Sequence, residues 1–251
     1  MNSKLKRFTT TALLVALIFI LGLTPIGYIP IPPIKVTLIC IPVIIGTIAL
    51  GLRTGLLLGF FFGITSLIQV WFPAPDLLGQ FLLGISPLKL LVIIFIPRLL
   101  VPLVTWVVLK VLETDYEIYI EIALFAIFAV LGIFVNWMFL IPAALMLIIF
   151  IFFRKVKAVK MKYGLSALLG SFTNTVFFLG GLYLLYYPNI EQVSEAFGTT
   201  ADGLFKILAG IGVANGVPEA IVALVICVPV LVALNKMGYI EEKEEIKAAE
   251  K

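Results

Sequence analysis

Apolar runs long enough to cross a bilayer follow one another along almost the whole chain. A spanning helix needs about 20 consecutive, mostly apolar residues. The first run covers about Phe8 to Thr24 and stops at the proline-rich stretch Pro25 to Pro33. A second runs from about Ile34 to Leu52, ending at Gly51-Leu52-Arg53-Thr54-Gly55. A third goes from Gly55 to about Phe72, closed by Pro73-Ala74-Pro75-Asp76, and a fourth occupies about Leu88 to Leu112. Leu77 to Ile85 is apolar but too short to span, so it reads as an interfacial or re-entrant piece before Ser86-Pro87. Later spans cover about Tyr163 to Tyr187 and about Leu204 to Leu234. The stretch from about Ile118 to Phe153 is too long for one span, since roughly 36 residues make about 54 Å of helix against about 30 Å of hydrocarbon. Two tight spans turning near Asn136-Trp137 fit it better.

A soluble fold is excluded on the same grounds. Hydrophobic residues make up 62% of the chain and charged residues 13%, against roughly 45–50% and 25% in ordinary globular proteins. There are too few polar residues to clothe a water-facing surface. Residues 1–251 read as one integral membrane domain with a short tail at 236–251.

Basic residues set the orientation, because cytoplasmic loops are enriched in Lys and Arg. With the N-terminus inside, fourteen basic residues fall on the inner side: Lys4, Lys6, Arg7, Arg53, Lys110, Arg154, Lys155, Lys157, Lys160, Lys162, Lys236, Lys243, Lys247 and Lys251. Only four, Lys35, Lys89, Arg98 and Lys206, fall elsewhere. Both termini are therefore expected in the cytoplasm, at the cell (plasma) membrane. Two spans at 118–153 preserve that parity, whereas one breaks it. The basic start resembles that of a signal peptide, but Pro25-Ile26-Gly27-Tyr28 offers no small-residue cleavage site.

Several chemistries are ruled out. The chain has no His, which removes His-based acid–base catalysis and His metal sites. Cys40 and Cys227 lie in apolar segments far from Cys-x-x-Cys spacing and read as small buried residues. No G-x-x-x-x-G-K-[ST] loop is present, so ATP is not hydrolysed by that device. No cofactor, metal or nucleic-acid partner is implied; the lipid bilayer is.

Polar groups inside a bilayer are costly and are usually retained for a function. Thr65 and Ser66 lie within the third span, Arg98 within the fourth, Asn174 within the next-to-last, and Asn215 and Glu219 near the middle of the last. All fall at comparable depth, displaced toward the outer half, as a buried polar pocket requires. Arg98 and Glu219 would also serve simply as a neutralising pair, and Asn174 and Asn215 as interhelical hydrogen-bond partners. Pro218 frees a backbone carbonyl one turn earlier. Gly55, Gly59 and Gly63 recur every four residues, as do Ala12 and Ala16, a spacing that lets helix backbones approach closely. For the alanines, internal packing and an external partner are equal readings. The apolar loop from Pro25 to Pro33 suits either a lid over a cavity or a segment packed on the bundle's outer end.

These residues resemble a known family. Thr24-Pro25-Ile26-Gly27-Tyr28-Ile29-Pro30, Ile41-Pro42-Val43-Ile44-Ile45-Gly46, Phe62-Gly63-Ile64-Thr65-Ser66-Leu67, Ile96-Pro97-Arg98-Leu99-Leu100-Val101, Gly170-Ser171-Phe172-Thr173-Asn174-Thr175 and Asn215-Gly216-Val217-Pro218-Glu219-Ala220 run in family order. The chain resembles a substrate-binding S component of an energy-coupling factor (ECF) vitamin transporter, of the pantothenate-type branch. The resemblance implies an all-α bundle of six transmembrane helices, here with an extra helical hairpin at about 118–153. It also implies substrate held in the outer half under the first loop, and Ala12-x-x-x-Ala16 on the face that meets a membrane coupling subunit. Two cytoplasmic ATPases complete that coupling module, so the chain itself is not an enzyme.

Pantothenate is an anion with hydroxyls and an amide. Arg98 suits its carboxylate, while Thr65, Ser66, Asn174 and Asn215 suit the remainder. Glu219 is an awkward neighbour for an anion unless it pairs with Arg98 or accepts a hydroxyl. Another vitamin such as riboflavin is the alternative, with Tyr28, Trp71 and Phe72 available for stacking. A gradient-driven secondary transporter would often show inverted repeats, and no convincing repeat is present. A membrane enzyme would need a nucleophile with a base, a metal cluster or paired carboxylates, and only Glu219 reads as a well-buried acid.

Overall fold

Eleven consecutive residues with almost no polar atoms, Cys40–Leu50, form the helix on which the others are assembled. The computed structural model describes residues 3–31, 34–72, 77–112, 126, 161–238 and 240. Helix α1 spans Ser3–Leu23. It leads through a 3₁₀ turn, Pro25–Gly27, into strands β1 (Tyr28–Ile31) and β2 (Ile34–Thr37). Helices α2 (Cys40–Leu50), α3 (Leu52–Ile68), α4 (Leu77–Ile85) and α5 (Pro87–Val111) follow. Beyond residue 160 come α6 (Met161–Leu185), α7 (Ile190–Ala196) and α8 (Ala201–Lys236).

Helices α1, α5, α6 and α8 are long and apolar enough to cross a membrane, and α2 and α3 are shorter apolar helices. Together they make the bundle of a multi-pass membrane protein. The hairpin expected at about 118–153 lies outside the described residues.

Helix α2 is buried from Cys40 through Ile48 on every face and packs against α1, α3, α5, α6 and α8. A helix that is apolar all round belongs in the centre of a bundle, and that is where it sits. The expected span from Ile34 to Leu52 needs correction, because Ile34–Thr37 belongs to β2. Those residues include β-branched side chains, and they pair antiparallel with Tyr28–Ile31, in register from Tyr28 opposite Thr37 to Ile31 opposite Ile34. The pairing satisfies backbone groups that a proline-flanked segment cannot satisfy as helix. With 11 residues, α2 is only about 16 Å long; the hairpin completes the outer part of this layer.

The chain reverses sharply between α2 and α3 at Gly51, whose φ of 87° favours glycine. Arg7 Nη2 donates to the Leu50 carbonyl at 2.7 Å and to Thr54 Oγ1 at 3.3 Å, capping α2 with a cation at its negative end. The threonines of α1 enter the span at little cost, because Thr9, Thr10 and Thr11 each donate to the carbonyl four residues earlier, at 2.8–2.9 Å. At the opposite end, α4 is the short apolar piece expected before Ser86-Pro87. Tyr186, fully buried, donates its phenol to the Leu82 carbonyl at 3.1 Å, tying the α4–α5 corner to the end of α6.

The glycine stripe of α3 does what its spacing predicts. A Cβ on Gly59 would stand 2.5 Å from the Arg98 carbonyl oxygen of α5, so the two backbones touch where the only side chain is a hydrogen. Gly59→Ala is expected to destabilise the protein by about 1–3 kcal/mol through forced separation of α3 and α5, read as a lowered melting temperature in detergent. Gly84→Ala, where nothing lies within 4 Å of the added methyl, should leave the melting temperature unchanged or slightly raised.

Candidate functional site

Polar side chains of α6 and α8 meet the end of the hairpin. Glu219 of α8 is the one buried carboxylate among the described residues, 6% exposed. Its Oε1 accepts the backbone N–H of Thr37, at the end of β2, at 2.9 Å. Its Oε2 accepts the Thr175 hydroxyl of α6 at 3.2 Å. One carboxylate thus joins the hairpin, α6 and α8. The close crossing that allows this is set by Gly216, where an added Cβ would meet Phe172 at 3.1 Å and Thr175 at 3.2 Å.

Arg98 of α5 lies between two aromatic faces, its guanidinium carbon 5.3 Å from the Phe62 ring centroid and 5.1 Å from that of Phe178. Nη1 donates to the Ile93 carbonyl at 3.2 Å. Stacking of this kind suits a weakly hydrated planar cation and fixes its orientation. Each oxygen of Glu219 accepts one hydrogen bond, so the carboxylate links the hairpin, α6 and α8.

Further polar atoms of these two helices are buried with no hydrogen-bond partner among the described residues, including Ser171 Oγ, Asn174 Oδ1 and Asn215 Oδ1. Ser171, Asn174 and Phe178 follow one another on α6 at helical spacing and so share a face. Asn215 lies one turn before Glu219 on α8. A buried polar atom left unsatisfied costs about 1–3 kcal/mol, so these oxygens call for donors from elsewhere. The chemistry offered is a fixed cation together with amide carbonyls that accept hydrogen bonds.

Other residues singled out in the sequence take different places. Thr65 is fully buried, but its hydroxyl donates to the Phe62 carbonyl at 2.8 Å and its side chain packs on Gly22 of α1. Ser66 is buried beside it. Trp71 and Phe72, just past α3, are 54% and 60% exposed and stand outside the buried layer. Tyr28 contributes backbone to β1. Cys40 and Cys227 are buried free thiols, as their apolar surroundings predicted. Ala12 and Ala16 are exposed and line an apolar groove between α1 and α3 with Phe8, Val15, Leu57 and Phe61.

Five contributors were not named as candidate site residues in the sequence: Thr37, Ser171, Thr175, Phe62 and Phe178, though Phe62, Ser171 and Thr175 stand in the family segments. Thr175 and Phe178 carried a signal, being one and four residues beyond Asn174. Thr37 carried none, because a backbone N–H is available at every residue and only the hairpin aims this one.

These features define a multi-pass helical membrane protein with polar groups buried among its helices. A model of the family "ECF transporter, substrate-specific component" matches residues 6–151, more than half of the chain, and the chain belongs to that family. Its members are substrate-binding subunits that associate with an ECF module. The matched region holds Ala12, Ala16, Thr65 and Arg98, whereas Asn174, Asn215 and Glu219 lie beyond it. A search of curated proteins finds no match to the chain.

Proposed function

We propose that the chain, acting as one integral membrane domain, is the pantothenate-binding S component of an ATP-driven ECF vitamin importer. The observation that carries this reading is the pairing of Arg98, stacked between Phe62 and Phe178, with the unpartnered buried oxygens of Asn174 and Asn215. A carboxylate answers the first, and hydroxyls and an amide N–H answer the second. The awkwardness of Glu219 beside an anion is relieved by its hydrogen bonds to Thr37 and Thr175, which supports a carboxylate ligand at Arg98. Ser66 and Tyr28 complete the set of proposed contacts, whereas the Thr65 hydroxyl is bonded within α3 and Trp71 lies outside the buried layer. A flavin is less well served, since Trp71 and Phe72 lie in the exposed layer.

On this reading the hairpin end faces outward and both termini face the cytoplasm of the plasma membrane. Equilibrium binding of a vitamin panel to the purified protein tests the substrate. Submicromolar binding of pantothenate alone supports the reading, and tight binding of another vitamin replaces it.

The exposed Ala12–Ala16 groove is the proposed seat of the membrane coupling subunit, which works with two cytoplasmic ATPases. Ala12→Trp with Ala16→Trp is expected to lower ATP-dependent uptake in proteoliposomes at least about tenfold, since filling a small-residue face separates the helices that use it. Solute binding by the isolated subunit should be unchanged, because the groove lies away from the buried polar layer.

A further inference from the structure

Buried hydroxyls in this bundle are commonly satisfied by their own helix. Thr47 of α2, Thr105 of α5 and Thr173 of α6 each donate to the carbonyl four residues earlier at 2.7 Å, a bond open to any helical Ser or Thr. Ala167 offers the same carbonyl to Ser171 of α6, and Ser171 does not take it. The residue is 1% exposed, and its Oγ has no hydrogen-bond partner among the described residues. A buried hydroxyl left unpaired costs free energy, so α6 alone does not explain this one.

The neighbours of Ser171 show where it faces. An added Cβ on Gly170, the residue before, would meet Thr105 of α5 and Ile44 of α2, and Phe172, the residue after, packs on Gly216 of α8. Ser171 therefore lies on the face of α6 turned to the bundle interior. One turn later comes Asn174, 8% exposed, whose Oδ1 is also buried and unpaired. The amide oxygen only accepts, whereas the serine hydroxyl both donates and accepts. One solute group completes both atoms, a hydroxyl that donates to Asn174 Oδ1 and accepts from Ser171. A carbonyl or ether oxygen has nothing to donate to Asn174, and an amide N–H leaves the Ser171 proton without an acceptor.

The spacing to Arg98 adds a length. Phe178, whose ring stacks on the Arg98 guanidinium, stands seven residues beyond Ser171, roughly 10 Å along the helix axis. An elongated solute with an anion at one end and a hydroxyl at the other fits that arrangement. Pantothenate is built on that plan, with a carboxylate at one end and a primary hydroxyl at the other.

We propose that Ser171 and Asn174 form a hydroxyl-reading subsite that takes the terminal hydroxyl of pantothenate while the carboxylate lies at Arg98. The subsite deepens the pantothenate reading and rests on it. It sets specificity, because a solute lacking that hydroxyl leaves both buried groups unpaired.

Titration calorimetry on the full-length protein in detergent tests this, with pantothenate and the analogue whose terminal hydroxyl is replaced by hydrogen. The parent should bind the deoxy analogue at least about tenfold more weakly than pantothenate. Ser171→Ala should bind pantothenate about two- to tenfold more weakly than the parent does, the range for one neutral hydrogen bond, and should bind the deoxy analogue as the parent does. Without solute, its melting temperature should equal or exceed the parent's, because the variant loses an unpaired hydroxyl rather than a bond. Ser166→Ala is the control. It removes the other α6 serine hydroxyl that has no partner among the described residues, but twelve residues from Phe178, and should leave both affinities unchanged. Unchanged pantothenate binding in Ser171→Ala would overturn the subsite and leave the pantothenate reading standing. A lowered melting temperature, or an equal loss for both solutes, would make Ser171 a packing residue and overturn the subsite too. A folded parent that does not bind pantothenate would overturn the reading itself, and the subsite with it.

Discussion

On the proposed reading, Arg98→Ala is expected to weaken pantothenate binding by about 30-fold to several thousand-fold, the range for removing one partner of a buried, hydrogen-bonded charge pair at about 2–5 kcal/mol. The ligand carboxylate would otherwise be desolvated with no compensating charge. Arg98→Lys keeps the charge but loses the planar fork and its stacking on Phe62 and Phe178, so an intermediate loss of about tenfold is expected. Titration calorimetry on protein that elutes as a single folded species checks both variants. An Arg98→Ala protein that binds pantothenate as tightly as the parent would make Arg98 a packing residue only. The same variant has a second use: binding of a neutral vitamin should be nearly indifferent to it.

The second large effect concerns Glu219. Glu219→Ala removes the acceptor for the part-buried Thr37 N–H and for the buried Thr175 hydroxyl together, the buried donor alone costing about 1–3 kcal/mol when left unpaired. The hairpin then loses its polar tie to α8. On the proposed reading, with the hairpin over the solute, the expected result is solute dissociation at least about tenfold faster, with a smaller change in association. Glu219→Gln should come close to the parent, because its carbonyl can accept from Thr37 while its amide donates to Thr175 Oγ1. Stopped-flow displacement separates the two rates. If both variants slow association equally and leave dissociation alone, Glu219 acts on ligand entry and the tie is incidental.

Much of the site was legible in the sequence, for an identifiable reason. A charged or amide side chain in the middle of an apolar span has no ordinary place to go, so Arg98, Asn174, Asn215 and Glu219 stand out against their neighbours. Their inward placement follows from the cost of exposing them to hydrocarbon. The glycine stripe on α3 was equally legible, because nothing but close approach explains three glycines at one helical spacing. Partner choice was not legible. Spacing along the helices does not show that Glu219 accepts from Thr37 and Thr175, or that the Arg98 guanidinium lies between two phenylalanine rings. Thr65 looked like a ligand group from its depth, and in the fold its hydroxyl is already bonded within α3.

Element boundaries divide in the same way. Spans α1, α3, α5, α6 and α8 follow from apolar length and from their Pro and Gly breaks. The run from Ile34 onward did not, because a continuous apolar stretch is compatible with strand or helix, and the strand exists only through pairing with Tyr28–Ile31.

By itself the sequence determined that this chain lives in a bilayer, that it has an interior polar layer, and that it lacks the groups for phosphate-loop ATP hydrolysis. Those conclusions rest on the free energy of moving side chains between water and hydrocarbon, which depends on composition and spacing alone. Only the tertiary structure decided which polar groups satisfy one another, and it alone left Ala12 and Ala16 exposed. Those outcomes depend on contacts between residues far apart in the chain, and hydrogen-bond energies change over tenths of an ångström that spacing along a helix does not specify.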